Sequence, residues 1–306
     1  MSWEINFIVW FQKLGGENSF FFYLQRFFSS FGEEYVFLVI LFILYWIYDK
    51  KTAEVVGFTL LFSSCFNSLL KNIVKRQRPY KTSMDIKNLD STGGFSYPSG
   101  HSQGAAVLYP SIALKYKKKW ITIIAIALPL LVAQSRTYLG VHFPTDVLGG
   151  LALGTIIMFI INMLYEKHSR SIQIISLIVF LPGLFFMYFI PYFKDMTKDY
   201  FMSYFALLGF VAGINFEKRF VHFKNTKVWW VGIIRFVVGI LIVFGIKEGV
   251  EALICLIGVT NPMTNLWLHS IPYLIIVFVA VGVYPLLFKY IDQLFKIKTS
   301  QTNEQN

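Results

Sequence analysis

Apolar residues run through this chain in long blocks, separated by short basic or Gly- and Pro-containing breaks. A helix that crosses a bilayer needs about 20 mainly apolar residues. Nine blocks meet or approach that length: Glu33–Tyr48, Ala53–Val74, His101–Lys115, Trp120–Ala133, Thr145–Leu164, Ile172–Phe189, Tyr200–Phe216, Val228–Ile246 and Leu268–Tyr290. The first, third and fourth are short. The stretch Trp3–Ser30 is aromatic-rich but interrupted by Lys13, Gly15, Gly16, Glu17 and Arg26, a pattern that predicts interfacial helices lying on the bilayer. The fold expected is all-α, a polytopic transmembrane helical bundle of about nine spans. Residues 1–32 form the interfacial N-terminal helices, 33–170 a core of five spans, 171–290 additional C-terminal transmembrane helices and 291–306 a polar cytoplasmic tail. No secretory leader is predicted: Glu4 comes early, no basic segment precedes the apolar stretch, and no small-residue cleavage site follows.

Composition narrows the class further. Hydrophobic residues make up 56% of the 306 and charged residues 15%, against about 25% charged in soluble chains. A soluble fold has too little interior for that load, and the 32 Phe exclude disorder. Cys65 and Cys255 both lie in apolar runs, so no disulfide framework is implied. The net charge of +11 comes without a basic helix or aromatic ladder, so it reads as membrane orientation and lipid-surface charge, with no nucleic-acid partner. With nine spans, alternate loops and the C-terminal segment collect 15 of the 28 basic residues, among them Lys50, Lys51, Lys115, Lys117, Lys118, Lys119, Lys218, Arg219, Lys296 and Lys298. The other side holds Lys13, Arg26, Lys194, Lys198, Arg136 and a cluster between Lys71 and Lys87. The expected topology therefore has the N-terminus outside and the C-terminus inside. The Lys71–Lys87 cluster falls outside, against the charge rule, and needs another reason.

That reason lies in three motifs, all at the outer face on this topology. The second span ends in Lys71-Asn72-Ile73-Val74-Lys75-Arg76-Gln77-Arg78-Pro79. Tyr97-Pro98-Ser99-Gly100-His101 precedes the third span, and Ser135-Arg136-Thr137-Tyr138-Leu139-Gly140-Val141-His142-Phe143-Pro144-Thr145-Asp146 joins the fourth to the fifth. Lys71, Arg78 and Arg136 bring three cations, and the arginine fork suits phosphate oxygens. The third and fifth helices begin at this surface, where their free N–H groups favour an anion. Ser99 is a candidate N-cap, Gly100 permits close backbone approach, and Pro144 suits a first helical turn. His142 and Asp146 are four residues apart at a helix start, so their side chains can meet. The carboxylate would fix the imidazole tautomer and make the other nitrogen a better nucleophile or base. His101 stands apart, free to give a proton to a leaving group. No Asp, Glu and His grouping resembles a cage for a divalent ion, so neither metal nor cofactor is expected.

Lys-x6-Arg-Pro, Pro-Ser-Gly-His and Ser-Arg-x5-His-x3-Asp, in this order over Lys71–Asp146, resemble the signature of the type-2 phosphatidic acid phosphatases and vanadium haloperoxidases. The resemblance implies that His142 attacks phosphorus to form a phosphohistidine, oriented by Asp146, and that His101 protonates the leaving alcohol. It implies that Lys71, Arg78, Ser99, Gly100 and Arg136 hold the phosphate, and that residues 33–170 are the catalytic phosphatase core. The length and span count resemble the sphingosine-phosphate-phosphatase and glucose-6-phosphatase branches more than a six-span core. The activity implied is metal-independent hydrolysis of a lipid phosphomonoester or diphosphate at the outer leaflet, in a bacterial cell membrane. Three rivals remain open at this point: the same site acting on a soluble ester such as a sugar phosphate, a lipid phosphotransferase, and a non-enzymatic lipid carrier or flippase on the same fold. The last is disfavoured by the intact set of histidines, Asp146 and cations.

Other polar residues carry plainer expectations. Lys75, Arg76, Lys81 and Lys87 read as further phosphate ligands or, more plainly, as a basic loop that attracts anionic lipid heads, and Tyr80 and Tyr97 as contacts to a lipid chain or, more plainly, as interfacial packing. Asn67 reads as a helix–helix hydrogen bond. Arg235, inside the eighth span, requires an inward partner, with Glu251 or Glu248 the candidates. His269 reads as a packing residue, and Ser135 as either a phosphate contact or a backbone cap.

Overall fold

The computed structural model describes residues 2–16, 18–189, 197–257 and 262–295. Glu17, Lys194, Lys296, Lys298 and the tail beyond residue 295 lie outside them. The regular structure of the described residues is all helix, with no strand among them. Two short helices, α1 (Trp3–Lys13) and α2 (Phe20–Ser30), precede α3 (Glu34–Ile43), which runs on through a π-helical turn, Leu44–Tyr48. Then follow α4 (Lys50–Val74), the single turn α5 (Pro79–Thr82), α6 (Gly100–Tyr116), α7 (Lys119–Tyr138) and α8 (Pro144–Phe189). The C-terminal part comprises α9 (Thr197–Phe216), α10 (Trp229–Ile257), α11 (Pro262–Phe278) and α12 (Leu286–Leu294).

Local chemistry sets the ends of these helices. The Asp49 carboxylate accepts from the Thr52 N–H at 3.1 Å and starts α4. Lys75, in the left-handed region at φ +53°, ends it. Ser99 caps α6 and Pro144 opens α8, as expected. Ser135, in the last turn of α7, donates its hydroxyl back to the Val132 carbonyl at 2.7 Å. The turn between α7 and α8 needs Gly140 at φ +74°, where a side chain would also collide with the Lys87 carbonyl.

Six described helices are long and apolar enough to cross a membrane, and α2 with α3, bent by 50°, makes a seventh if read as one broken span. That is fewer than the nine blocks of the sequence, for two reasons. Helix α6, with 17 residues, is short and buries Ser102, Gln103 and Ser111. Helix α8 takes up two blocks at once. Its 46 residues would run roughly 70 Å if straight, over twice a hydrocarbon core of about 30 Å. It breaks at His168 (φ −141°, ψ 46°), and the neighbours show that the chain reverses there. Thr59 bonds Asn162 while Gln103, packed against Gly154, reaches Ser63, so the first arm is antiparallel to α4. Gly57 packs on Phe210 and Ser64 bonds Ser203, so α9 is antiparallel to α4 too. The second arm is antiparallel to α9, since Gln173 meets Asn215, Leu177 meets Tyr204 and Phe180 meets Tyr200.

Helices α4, α6 and the first arm of α8 pack tightly. Gly150 and Gly154 let α8 approach the α6 backbone at Ser99 and Gln103 so closely that a Cβ would clash. Asn67 on α4 donates to Gln103 on α6 at 2.7 Å, the interhelical bond expected of it. The largest apolar cluster, around Trp46, Phe58, Tyr200, Phe201 and Tyr284, joins α4 to the C-terminal helices.

At the end of the bundle remote from the motifs, charges pair one to one: Lys50 with Glu217 at 2.9 Å, Lys218 with Glu54 at 2.5 Å and Arg235 with Asp292 at 2.9 Å. The partner of Arg235 is thus Asp292 on α12, not Glu251 or Glu248, which pair with Lys247. Arg235 lies near the start of α10 and the two glutamates near its other end, so the helix itself holds them apart. The Arg235 guanidinium also lies over the Phe288 ring, 4.3 Å from its centroid.

Candidate active site

The α4–α5 segment, the 83–99 loop and the α7–α8 turn meet at one end of the bundle. Backbone bonds stitch them together: Ser96 N–H to the Arg76 carbonyl (2.8 Å), Ser99 N–H to the Asp146 carbonyl (3.0 Å) and Leu89 N–H to the Leu139 carbonyl (3.1 Å). The three motifs, spread over 76 residues of sequence, therefore share one pocket of side chains.

His142 lies in the α7–α8 turn, 1% exposed. Its Nδ1 faces Asp146 Oδ2 at 3.8 Å and the Ser96 hydroxyl at 3.4 Å. Its Nε2 faces Arg78 Nη1 at 3.3 Å. Burial, then the positive fields of Arg78, Lys71 and Arg136, hold the His142 pKa well below the ordinary histidine value. The ring is therefore neutral near pH 7. With Asp146 and Ser96 beside Nδ1, the proton belongs on that nitrogen, which leaves the Nε2 lone pair directed at Arg78.

Asp146, fully buried, receives three donors: the Phe143 N–H at 2.8 Å and the Ser96 hydroxyl at 2.5 Å on Oδ2, and Arg76 Nη1 at 2.7 Å on Oδ1. The spacing of four residues brings it near His142 as expected, but Ser96 stands beside the pair. Sequence reading passed over Ser96, and its one signal is a place in the segment leading into Pro-Ser-Gly-His. Arg76 belongs to this site and is not a lipid-facing basic residue; its guanidinium lies 4.1 Å from the Phe143 ring centroid.

Among the cations, Arg78 is held by carbonyls. It donates to Gly93 and Gly94 through Nε (3.0 Å each), to Val141 through Nη1 (2.9 Å), and to Gly93 again through Nη2. Lys71 Nζ donates to the Phe95 carbonyl at 2.9 Å. Arg136 bonds Asp90 (2.6 Å), Ser29 (2.7 Å) and Thr92 (2.9 Å), while its buried Nε has no hydrogen-bond partner. Ser99 is wholly buried and accepts from the Ser102 N–H and hydroxyl. Gly100 opens α6 against Asn67. His101 stands on the first turn of α6, packed on Gly32, within electrostatic reach of Arg136, His142, Lys71 and Arg78. All eight residues singled out in the sequence thus come together here. Tyr80 donates to the Thr92 carbonyl at 2.9 Å, and the Tyr97 ring packs on Gly149. Among the described residues, no three His, Cys, Asp or Glu side chains converge as metal ligands.

This arrangement sets a buried imidazole against the Arg78 guanidinium, with Lys71 and Arg136 nearby. Residues 53–170 match the PAP2 superfamily, and residues 201–295 match the PAP2 superfamily phosphatase, transmembrane extension. The undecaprenyl-diphosphatase of Sulfolobus acidocaldarius is 34% identical over 146 residues, 45% of this chain and 67% of that protein. The chain belongs to the PAP2 superfamily. Within that superfamily, phosphatidylglycerophosphatase B of Bacillus subtilis is 40% identical over 135 residues, 40% of this chain. The match spans 64% of that relative's length. The crystal structure of a transmembrane PAP2 type phosphatidylglycerolphosphate phosphatase from Bacillus subtilis aligns with 54% of this chain and 87% of that one, at 30% identity and a TM-score of 0.42. The match to the transmembrane extension and the long apolar helices make this an integral membrane protein.

Proposed function

We propose that this PAP2 protein hydrolyses a lipid phosphomonoester or diphosphate through a phosphohistidine on His142, without a metal, at the outer face of a bacterial membrane. The observation that carries the reading is the His142 imidazole, with Nδ1 toward Asp146 and Nε2 against Arg78. A phosphate that takes over the Arg78 guanidinium has its phosphorus in front of the Nε2 lone pair. His142 Nε2 then bonds to phosphorus as the bond to the leaving oxygen breaks, and His101, protonated once the phosphate's negative charge offsets the surrounding cations, gives that oxygen its proton. Lys71, Arg78 and Arg136, with the N–H groups that open α6, balance the charge on the phosphoryl oxygens. In the second half, His101 takes a proton from water, whose oxygen attacks phosphorus. The P–N bond breaks, and phosphate leaves with His142 restored.

A lipid substrate is supported by the site's place at the ends of long apolar helices and by the relatives, named as phosphatidylglycerophosphatase, undecaprenyl-diphosphatase and lipid A phosphatases. The nine-span topology, with the N-terminus outside, is supported by the reversal at His168 and by the distribution of basic residues.

The test is phosphate release by the purified protein from a panel of phosphatidate, phosphatidylglycerophosphate, a sphingosine-phosphate-like lipid, polyprenyl diphosphate and a sugar phosphate, with and without EDTA. Release from at least one lipid, unaffected by EDTA and blocked by vanadate, is the result expected. Strict dependence on Mg²⁺, or turnover of the sugar phosphate alone, would overturn the reading. The outward face is tested separately on intact cells, in a Cys255→Ser background because Cys255 is exposed. An impermeant thiol reagent should label Ser91→Cys and spare Lys227→Cys, and the reverse pattern would refute it.

A further inference from the structure

We propose that Arg76 is a positioning residue for this reaction and that Glu4, presented by α1, anchors it, so that the N-terminal helix is part of the machinery that aims the nucleophile. The inference rests on the reading of His142 as that nucleophile. One end of the Arg76 fork donates through Nη1 to Asp146 Oδ1 at 2.7 Å and to the Thr145 hydroxyl at 2.6 Å. The other donates through Nη2 to Glu4 Oε2 at 2.6 Å. The second oxygen of Glu4 accepts from the Thr145 hydroxyl at 2.7 Å and the Thr145 N–H at 3.3 Å. Glu4 thus holds both Arg76 and the first turn of α8, which carries Asp146.

The two oxygens of Asp146 have separate duties. Oδ2 takes the Ser96 hydroxyl and the Phe143 N–H and faces His142, whereas Oδ1, among the described residues, accepts from Arg76. A carboxylate so divided cannot turn about its Cβ–Cγ bond, so Arg76 sets the oxygen that His142 meets. A planar guanidinium suits the task because it spans two carboxylates in fixed directions, which an ammonium cannot do. It also keeps apart two carboxylates, Glu4 and Asp146, that would otherwise repel. Helix α1 is seated for this role. Its buried residues Glu4, Ile8 and Gln12 recur every fourth position on one face, and Gln12 donates to the carbonyls of Lys87 (2.8 Å) and Tyr138 (3.0 Å). The helix is therefore fixed to the 83–99 loop and the α7–α8 turn as well as to Arg76.

The test is a double-mutant cycle with Asp146→Asn, using a lipid phosphate and the full chain in detergent. Arg76→Ala alone should lower kcat/KM on the order of 10–100-fold, the range for losing a partner that orients a site group, mainly through kcat. Arg76→Lys should recover part of the loss, and Glu4→Gln should cost less than Arg76→Ala. In the Asp146→Asn background, where no carboxylate remains to be aimed, Arg76→Ala should cost no more than about twofold. An equal loss in both backgrounds, or a loss confined to KM, would make Arg76 a structural or phosphate-binding residue and overturn the inference, as would full activity of Arg76→Ala. Should Arg76→Ala fail to fold, Glu4→Gln runs the same cycle, and equal losses in its two backgrounds overturn the inference in the same way. If His142→Ala still turns over, the functional reading itself falls. If His142→Ala is inactive while Arg76→Ala is not impaired, only the positioning role falls.

Discussion

The two ends of the helix bundle each bury charged side chains, and they balance them differently. At the end remote from the motifs, Lys50, Lys218 and Arg235 each meet one carboxylate, Glu217, Glu54 and Asp292. At the motif end, Arg76 and Arg136 have carboxylate partners, but Arg78 is held by main-chain carbonyls and His142, and Lys71 by the carbonyl of Phe95. Carbonyl dipoles orient a cation without neutralising it. The buried charges of the remote end are thus matched within the protein, whereas among the described residues Arg78 and Lys71 at the motif end have no carboxylate within salt-bridge distance. A buried charge paired within the protein needs no ligand, whereas buried cations without a carboxylate mark a candidate anion site.

The largest expected effect comes from removing the group for which the unmatched end is built. His142→Ala should abolish phosphate release from every substrate. His101→Ala should depend on what leaves: an alkoxide needs its proton, worth roughly 10²–10⁴-fold, and a nitrophenolate hardly does. Phosphate release from lipid phosphate and from p-nitrophenyl phosphate, measured side by side, checks this. Equal losses for both variants on both substrates would reduce the histidines to phosphate ligands. Next, Arg78→Ala should lower kcat/KM on the order of 10²–10³-fold, as for loss of one charge-stabilising donor, with a smaller fall in melting temperature than Arg235→Ala, because relief of its unmatched charge offsets part of the loss of its carbonyl bonds. The remote end should behave the opposite way. Arg235→Ala leaves Asp292 without its partner, at a cost of about 3 kcal/mol, read as a lower melting temperature in detergent with kcat/KM nearly intact for the protein that remains folded. If Arg78→Ala melts early and Arg235→Ala does not, the contrast between the two ends fails.

Smaller effects sharpen the same contrast. A lowered His142 pKa means that the neutral, nucleophilic ring survives to lower pH. Once the second ionisation of the substrate near 6 is divided out, the acid limb of kcat/KM should fall below the ordinary histidine value of about 6.5. Arg78→Gln removes one of the fields that depress it and should move the limb upward. A limb at or above 6.5 in the wild type would mean that His142 is neither buried nor surrounded by cations in the working enzyme. Smallest of all, Glu251→Gln disrupts an exposed pair with Lys247 and should leave melting temperature and activity unchanged, since Arg235 does not depend on it.

The chain by itself specified an all-helical membrane protein, because apolar blocks of bilayer length leave no soluble alternative. It also specified the eight residues that meet at the site, because Lys71, Arg78, Ser99, Gly100, His101, Arg136, His142 and Asp146 stand at helix ends in spacings that suit an anion. Tertiary structure decided the matters that depend on distant pairs. Arg235 chose Asp292 over two glutamates of its own helix because α12 returns to the start of α10, a contact no local spacing encodes. Arg76 read as one more residue of a basic loop until α1 placed Glu4 beside it and the α7–α8 turn placed Asp146 on its other side. Ser96 gained meaning only when the loop before α6 folded its hydroxyl against His142 and Asp146. Local sequence sets which groups stand at which helix end, by hydropathy, caps and turn residues. The packing of those ends against one another sets which charges are matched and which are left for a ligand.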